Sequence, residues 1–270
     1  MRYEIFLLFS SLFLFFPSLL FAQSSSGSQF AHPLQVEPTA LYSKIRGNFQ
    51  YWDKRNSDQF ERNRNINLEG EYKFNPNFSV ISSIGRNEYQ LTGSERELRW
   101  DRWNAGIKFS KEFQCFGGDC FFGTGIRLFN SMSERYNSLR ENPVFYQVRP
   151  NLGFGYKSGI FEIQAELRYQ TETTRSAREE NLEQFRRYYQ LGLAPSIQLT
   201  ESIRTFLEFE YREPVQKEID TKTRFFQFYP GITYNKKGFG TIGISALFPV
   251  IPVENNAFDR GMKVSYFVFF

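Results

Sequence analysis

The sequence predicts an all-β chain folded as a closed antiparallel transmembrane β-barrel of about 12 strands. Three observations carry this. The last ten residues, Gly261 to Phe270, alternate at period two: Met262, Val264, Tyr266, Val268 and Phe270 share one face, and Lys263 and Ser265 the other. Segments of the same kind recur from Leu41 onward, separated by short turns and longer polar loops in strict alternation. Aromatic residues make up 19% of the 270-residue chain, with 32 Phe and 15 Tyr, yet the mean hydropathy is −0.47. Helical spans each need about 20 mostly apolar residues and do not fit that value. A barrel with a lipid-facing exterior and a wet interior accommodates both numbers. The competing reading of the C-terminal pattern is an edge strand of a soluble sandwich.

Residues 1–22 read as a secretory signal peptide. Arg2 starts a near-continuous apolar run from Ile5 to Leu20, and Ala22 stands before a cut at Gln23. An uncleaved anchor is the alternative; Pro17 and the modest length argue against it. No cysteine follows the run, which excludes the lipoprotein route. Residues 23–40 are rich in Ser, Gln and Pro without periodicity and are expected to form a periplasmic leader, disordered or plug-like, ahead of a barrel over 41–270. The single histidine, His32, lies in this leader and is expected to be inert.

A secretory leader combined with an alternating C-terminal strand that closes on an aromatic residue, Phe270, resembles the bacterial outer-membrane β-barrel proteins. The resemblance is to the class, with its small porin-like members, and to no specific family. It implies an outer-membrane location, contact with outer-membrane lipid, and recognition of the strand ending at Phe270 by the barrel-assembly machinery.

The first strand is expected over Leu41–Trp52 and the second over Phe60–Phe74, with Asn75-Pro76-Asn77 as a tight turn, since proline presets φ and asparagine tolerates left-handed geometry. Further strands follow over Phe78–Gly85, Leu98–Phe113, Phe121–Phe129, Pro143–Tyr156, Ile160–Gln170, Gln184–Leu199, Ile203–Arg212, Lys222–Tyr234, Phe239–Phe248 and Arg260–Phe270. The cleanest alternation sets Phe161, Ile163, Ala165, Leu167 and Tyr169 against Glu162, Gln164, Glu166 and Arg168. Pro150, Pro195 and Pro230 fall inside strands and are expected to mark bulges, because proline cannot donate to a ladder. They leave the strand number open between about 10 and 14. The loops 86–97, 130–142 and 171–183 are long and charged.

The inward face follows from the alternation. Its basic candidates are Lys44, Arg46, Arg102, Lys108, Arg127, Arg149, Arg168, Arg186 and Arg204, joined by Lys73, Arg212 and Lys263; its acidic ones are Glu69, Glu71, Glu162, Glu166, Glu208 and Glu210. A narrow water-filled pore with such a basic excess favours anions. It resembles, in type only, the small porins that take up acidic oligosaccharides. The rival is a salt-bridged lumen that fills itself, leaving a structural or surface-recognition barrel whose charged loops meet a partner. Barrels near eight strands are filled by their own side chains and porins of 16 to 18 are open; twelve lies between.

Catalysis is not expected. Outer-membrane lipases, deacylases and omptin-type proteases work through histidine, and His32 lies outside every strand. No cofactor motif is visible, and Cys115 and Cys120 lack the partners a metal site needs. In an oxidising compartment they are expected to pair as a disulfide across Phe116-Gly117-Gly118-Asp119, with free thiols as the alternative. A net charge of +4 and a pI near 8.9 give nucleic-acid binding little support. The in-strand glycines of Gly153-Phe154-Gly155 and Gly240-Thr241-Ile242-Gly243 are expected to relieve crowding inside the barrel.

Overall fold

The computed structural model describes residues 30–56, 59–91, 93, 97–100, 103–130, 144–175, 183–215, 225–250 and 259–270. The expected signal peptide, the first part of the leader, and much of the loops 130–142 and 171–183 lie outside these residues.

Thirteen strands form one sheet. They are β1 (Lys44–Asn56), β2 (Gln59–Asn75), β3 (Phe78–Leu91), β4 (Glu97–Trp100), β5 (Trp103–Cys115), β6 (Gly118–Asn130) and β7 (Val144–Ser158). After these come β8 (Phe161–Arg175), β9 (Glu183–Gln198), β10 (Ile203–Pro214), β11 (Phe225–Lys236), β12 (Gly240–Pro249) and β13 (Arg260–Phe269). Both β4 and β5 pair with β3, at its two ends, so they share one stave and the barrel has twelve. Every pairing is antiparallel, and β1 closes the ring by pairing with both β2 and β13. Closure removes both sheet edges, which in lipid would carry unpaired backbone groups.

Alternation sets the two faces. On β8, Glu162, Gln164, Glu166, Arg168 and Gln170 are buried, while Phe161, Ile163 and Leu167 are exposed. Outside, residues such as Ile66, Leu128, Leu152, Leu191, Ile232 and Ile244 form an exposed apolar surface around the barrel. A surface that large and apolar suits lipid and not water.

The short connections group at one end. Cys115 pairs with Gly118, leaving a two-residue turn whose Phe116 and Gly117 both have positive φ (49° and 74°); that is the geometry which matches strand twist in tight hairpins. Cys115 and Cys120 are joined by a disulfide across this turn. Asn77 donates its backbone N–H to the Asn75 side-chain oxygen (3.0 Å), holding the turn at Pro76.

Two expectations need correction. The prolines mark no bulge. Phe228↔Phe248 and Gly231↔Ser245 keep one register on either side of Pro230, as do Phe206↔Ser196 and Phe209↔Leu193 around Pro195 and Val148↔Thr171 and Asn151↔Arg168 around Pro150. The missing N–H costs ladder bonds on one side without inserting a residue. The strands also run past their expected ends: β3 reaches Leu91 and β8 reaches Arg175. Where polar residues occupy both faces of a hairpin, the period-two signal vanishes although the ladder continues.

The first strand begins at Lys44 and not at Leu41. Residues 30–43 belong to no strand, although the Ser43 carbonyl accepts the Phe270 N–H at 3.0 Å, and lie within the barrel, with Phe30, Leu34, Val36, Ala40, Leu41 and Tyr42 buried. This segment enters near the turn end, where the Phe30 ring packs edge-on against Phe121 of β6 at 4.6 Å. It rises to Glu37 and returns to Lys44. Inward glycines make room for it: a Cβ at Gly153 would stand 2.1 Å from Thr39 Oγ1, one at Gly243 2.3 Å from a Leu34 methyl, and one at Gly192 2.9 Å from Val36. The crowding anticipated at Gly153 and Gly243 comes from this segment, whereas at Gly155 it comes from the Phe121 ring of β6 and at Gly240 from the Phe267 carbonyl of β13.

Replacing Gly153 with Val should therefore destabilise the packed state by roughly 1–3 kcal/mol, the usual scale of overpacking. Gly70→Val adds its side chain to open space outside the barrel and serves as the control. Heat-modifiable gel migration measures both: the unfolding midpoint should fall for Gly153→Val and stay within a degree or two for Gly70→Val.

Candidate functional site: a basic lumen and its inner segment

The inner segment has backbone groups to satisfy and no strand to pair with. The walls supply partners. Glu208 on β10 accepts the backbone N–H groups of Leu34, Gln35 and Val36 at 2.7, 2.8 and 2.7 Å. Two strands along the same wall, Glu162 on β8 accepts the Ala31 N–H at 2.9 Å, and Gln164 donates to the Ala31 carbonyl. Glu71 on β2 takes the Tyr42 N–H at 3.1 Å, and Arg46 donates to the Leu34 carbonyl. Tyr42 returns its hydroxyl to the Ala31 carbonyl at 3.0 Å, closing the base of the loop.

Apolar contacts support the same path. Phe30, Ala40, Tyr42 and Phe121 form one cluster; Leu34, Phe206 and Phe267 form another, with Ala31 against it.

His32 is buried among these groups. Its Nδ1 lies 2.6 Å from the Pro33 carbonyl oxygen and its Nε2 contacts the Lys44 ammonium, so Nδ1 carries the proton and Nε2 accepts. Burial and the charges of Lys44 and Arg46 hold the imidazole well below its usual range. It is a neutral acceptor that fixes Lys44.

Charged pairs line the lumen. The Lys44 ammonium bridges Glu69 (3.1 Å) and Glu71 (3.2 Å), and Lys108 joins Glu71 at 3.0 Å and the Ala40 carbonyl at 2.8 Å. Arg204 pairs with Glu162 at 3.1 Å and Arg168 with Glu166 at 2.6 Å. Glu210 accepts from Gln190 and Tyr229, both at 2.9 Å.

The tip of the segment carries the densest charge. The Glu37 carboxylate lies 2.6 Å from Arg127, 3.4 Å from Arg168 and 3.9 Å from Arg149, three guanidiniums on adjacent strands. Burial alone would raise its pKa, but Arg127, Arg168 and Arg149 outweigh this and hold it at about 2. Beside the tip lies a cavity of about 200 Å³. Seven basic residues line it (Lys44, Arg46, Lys108, Arg127, Arg149, Arg168 and Lys263) against two acidic ones, Glu37 and Glu69. Asn48, Gln50, Asn65 and Asn67 complete its polar wall.

The expected inward residues are brought together as the alternation required. Lys44, Arg46, Glu71, Lys108, Arg127, Glu162, Glu166, Arg168, Arg204 and Glu208 are buried, and Glu69, Arg149 and Glu210 are half-buried on the same face. Arg102 and the side chain of Arg186 lie outside the described residues. Sequence reasoning missed Glu37 and the backbone-binding role of Glu208. The available signal was the set of inward glycines, which implies that something bulky passes inside. Among the described residues no group of three or more His, Cys, Asp or Glu could hold a metal ion.

A closed twelve-stave barrel has counterparts among solved structures. An outer-membrane channel from Pseudomonas putida F1 superimposes over 90% of this chain and 100% of its own, with a TM-score of 0.61 at 9% identity. The fold is that of outer-membrane porins and channels. The NanC porin covers 84% of this chain and 98% of its own, with a TM-score of 0.52 at 8% identity. The KdgM porin covers 84% and 99%, with a TM-score of 0.52 at 12% identity. No protein-family model matches the chain, and no curated protein matches it in sequence. At these identities the likeness is one of fold.

Two outcomes follow. Glu208→Ala removes a charged acceptor from three N–H donors, each bond worth roughly 1.5–3 kcal/mol, so hydrogen-exchange protection at Leu34 to Val36 should fall by about a hundredfold or more. Protection of the ladder bonds of β10 should persist; unchanged amides at 34–36 would contradict the assignment. Acid should act on the tip. Because the Glu37 pKa is depressed from 4.5 to about 2, its contribution is complete above the unperturbed value and is lost as pH falls through the folded one. Protection of the Val36 and Glu37 amides, corrected for intrinsic exchange, should hold down to that upper value and weaken progressively below it.

Proposed function

We propose that this protein is a non-enzymatic bacterial outer-membrane channel that favours small anionic solutes, with residues 30–43 as a plug inside it. The observation that carries the reading is the cavity lined by seven basic and two acidic residues. Fixed charge in a narrow, low-dielectric passage raises the local concentration of the opposite ion and sets selectivity. The fold neighbours are channels, and one of them, the KdgM porin, has been solved in complex with oligogalacturonate; that ligand belongs to that protein, and it fits the chemistry inferred for this one.

The exposed apolar surface sits in outer-membrane lipid, and the start of the inner segment at Phe30 and the end of β13 lie at the periplasmic side with the short turns. The signal peptide delivers the chain to that envelope, and the assembly machinery engages the strand ending at Phe270. The self-filled structural or recognition barrel is the weaker reading. Ion pairs of the kind it requires are present, but a polar cavity remains, and the lower lumen holds a loop of chain outside the sheet in place of wall side chains alone.

Planar-bilayer recording across a potassium chloride gradient tests this. Current steps with a reversal potential on the anion side are expected. Arg149→Gln combined with Lys263→Gln removes two of the seven cavity cations and should move that potential clearly toward zero. Cation-selective steps, or complete silence from folded protein, would overturn the reading.

A further inference from the structure

We infer that the three arginines at the tip of the inner segment form a binding site for carboxylated solutes, and that Glu37 occupies it as a built-in competitor whose displacement frees the segment. The inference rests on the channel reading for its physiological meaning but stands on geometry of its own.

The site belongs to the wall. Arg127 is oriented by Asn104, which accepts from its Nε at 3.0 Å and its Nη2 at 2.6 Å. Arg168 is held by Glu166 through two bonds, at 3.2 and 2.6 Å. Arg149 stacks over the Phe129 ring at 4.2 Å, and its Nε has no hydrogen-bond partner among the described residues. These supports do not involve the segment, so the three guanidiniums stay aimed at one point when Glu37 leaves. Such forks recognise carboxylates with paired N–H donors.

The ligand already present is a carboxylate, and it reaches the site on a tether. Six residues, 38–43, join Glu37 to the first residue of β1. A short tether gives an effective concentration on the order of millimolar. A free carboxylate therefore competes in that range, and a polycarboxylate competes better because the cavity beside the tip offers further cations, Arg46 and Lys263 among them. Loss of the Glu37 contacts leaves the segment held mainly by Glu208 and the contacts at its base.

The test reads the position of the segment and needs no conduction. In the full-length protein, Val36→Cys places a thiol at a site that is 1% exposed, while Cys115 and Cys120 remain in their disulfide. Its labelling by a water-soluble maleimide in detergent should be slow. Millimolar citrate should accelerate it about tenfold or more, the scale of a 1.4 kcal/mol shift in the opening equilibrium, while neutral glucose and potassium chloride of equal ionic strength should not. Adding Glu37→Gln should give fast labelling that citrate no longer changes. Acceleration by potassium chloride equal to that by citrate, or no response to citrate from the folded Val36→Cys protein, would overturn the inference. Citrate-responsive labelling in a protein that conducts nothing would instead sink the channel reading and leave this site standing.

Discussion

A stretch of backbone that joins no sheet must still have its N–H and C=O groups satisfied, and inside a barrel only the wall can do it. Residues 30–43 meet this constraint through side chains on opposite walls: Glu208 for three successive amides, Glu162 and Gln164 for Ala31, and Glu71 for Tyr42. Much of the lumen follows from that. The acidic residues stand where the segment passes, and the glycines at 153, 192 and 243 stand where its side chains press. The wall and the segment are two halves of one packing solution.

The same arrangement shapes the electrostatics. A buried carboxylate and a buried guanidinium lose their hydration, and their pairing offsets that loss only when the remaining donors and acceptors are used. Here Glu208 and Glu71 direct lone pairs to backbone amides, and part of the wall's negative charge is spent on the segment. The arginines of β6, β7 and β8 are left facing inward with Glu37 as a shared partner. Removing Glu37 changes the charge at the centre of the barrel more than a single substitution on its exterior would, because the low dielectric screens it weakly.

One cavity brings Asn48, Gln50, Asn65 and Asn67 together with Arg46, Arg149 and Lys263 beside the segment tip. The apolar clusters of Phe30 and Leu34 lie on the turn side of the tip, where they give the segment its seat.

Period-two alternation was enough for the all-β class, a stave count of about twelve, and which of Glu162, Arg168, Arg127 or Glu208 turns inward, because a strand with an apolar outside and a polar inside must show its two sides in its sequence; only the closed sheet fixed the count. The turn at Asn75-Pro76-Asn77 was legible for the same local reason: its geometry demands particular residues. The prolines misled, since a local rule says that a ladder bond is lost but not whether the register shifts. Residues 30–43 could not be placed inside the barrel from sequence, for they carry no period of their own and their order comes from contacts with strands scattered along the chain, from Glu71 to Glu208. The acidity of Glu37, the seat of Leu34 and the partners of Glu208 exist only once β6, β7, β8 and β10 are curved around one axis, and that curvature is a property of the closed sheet.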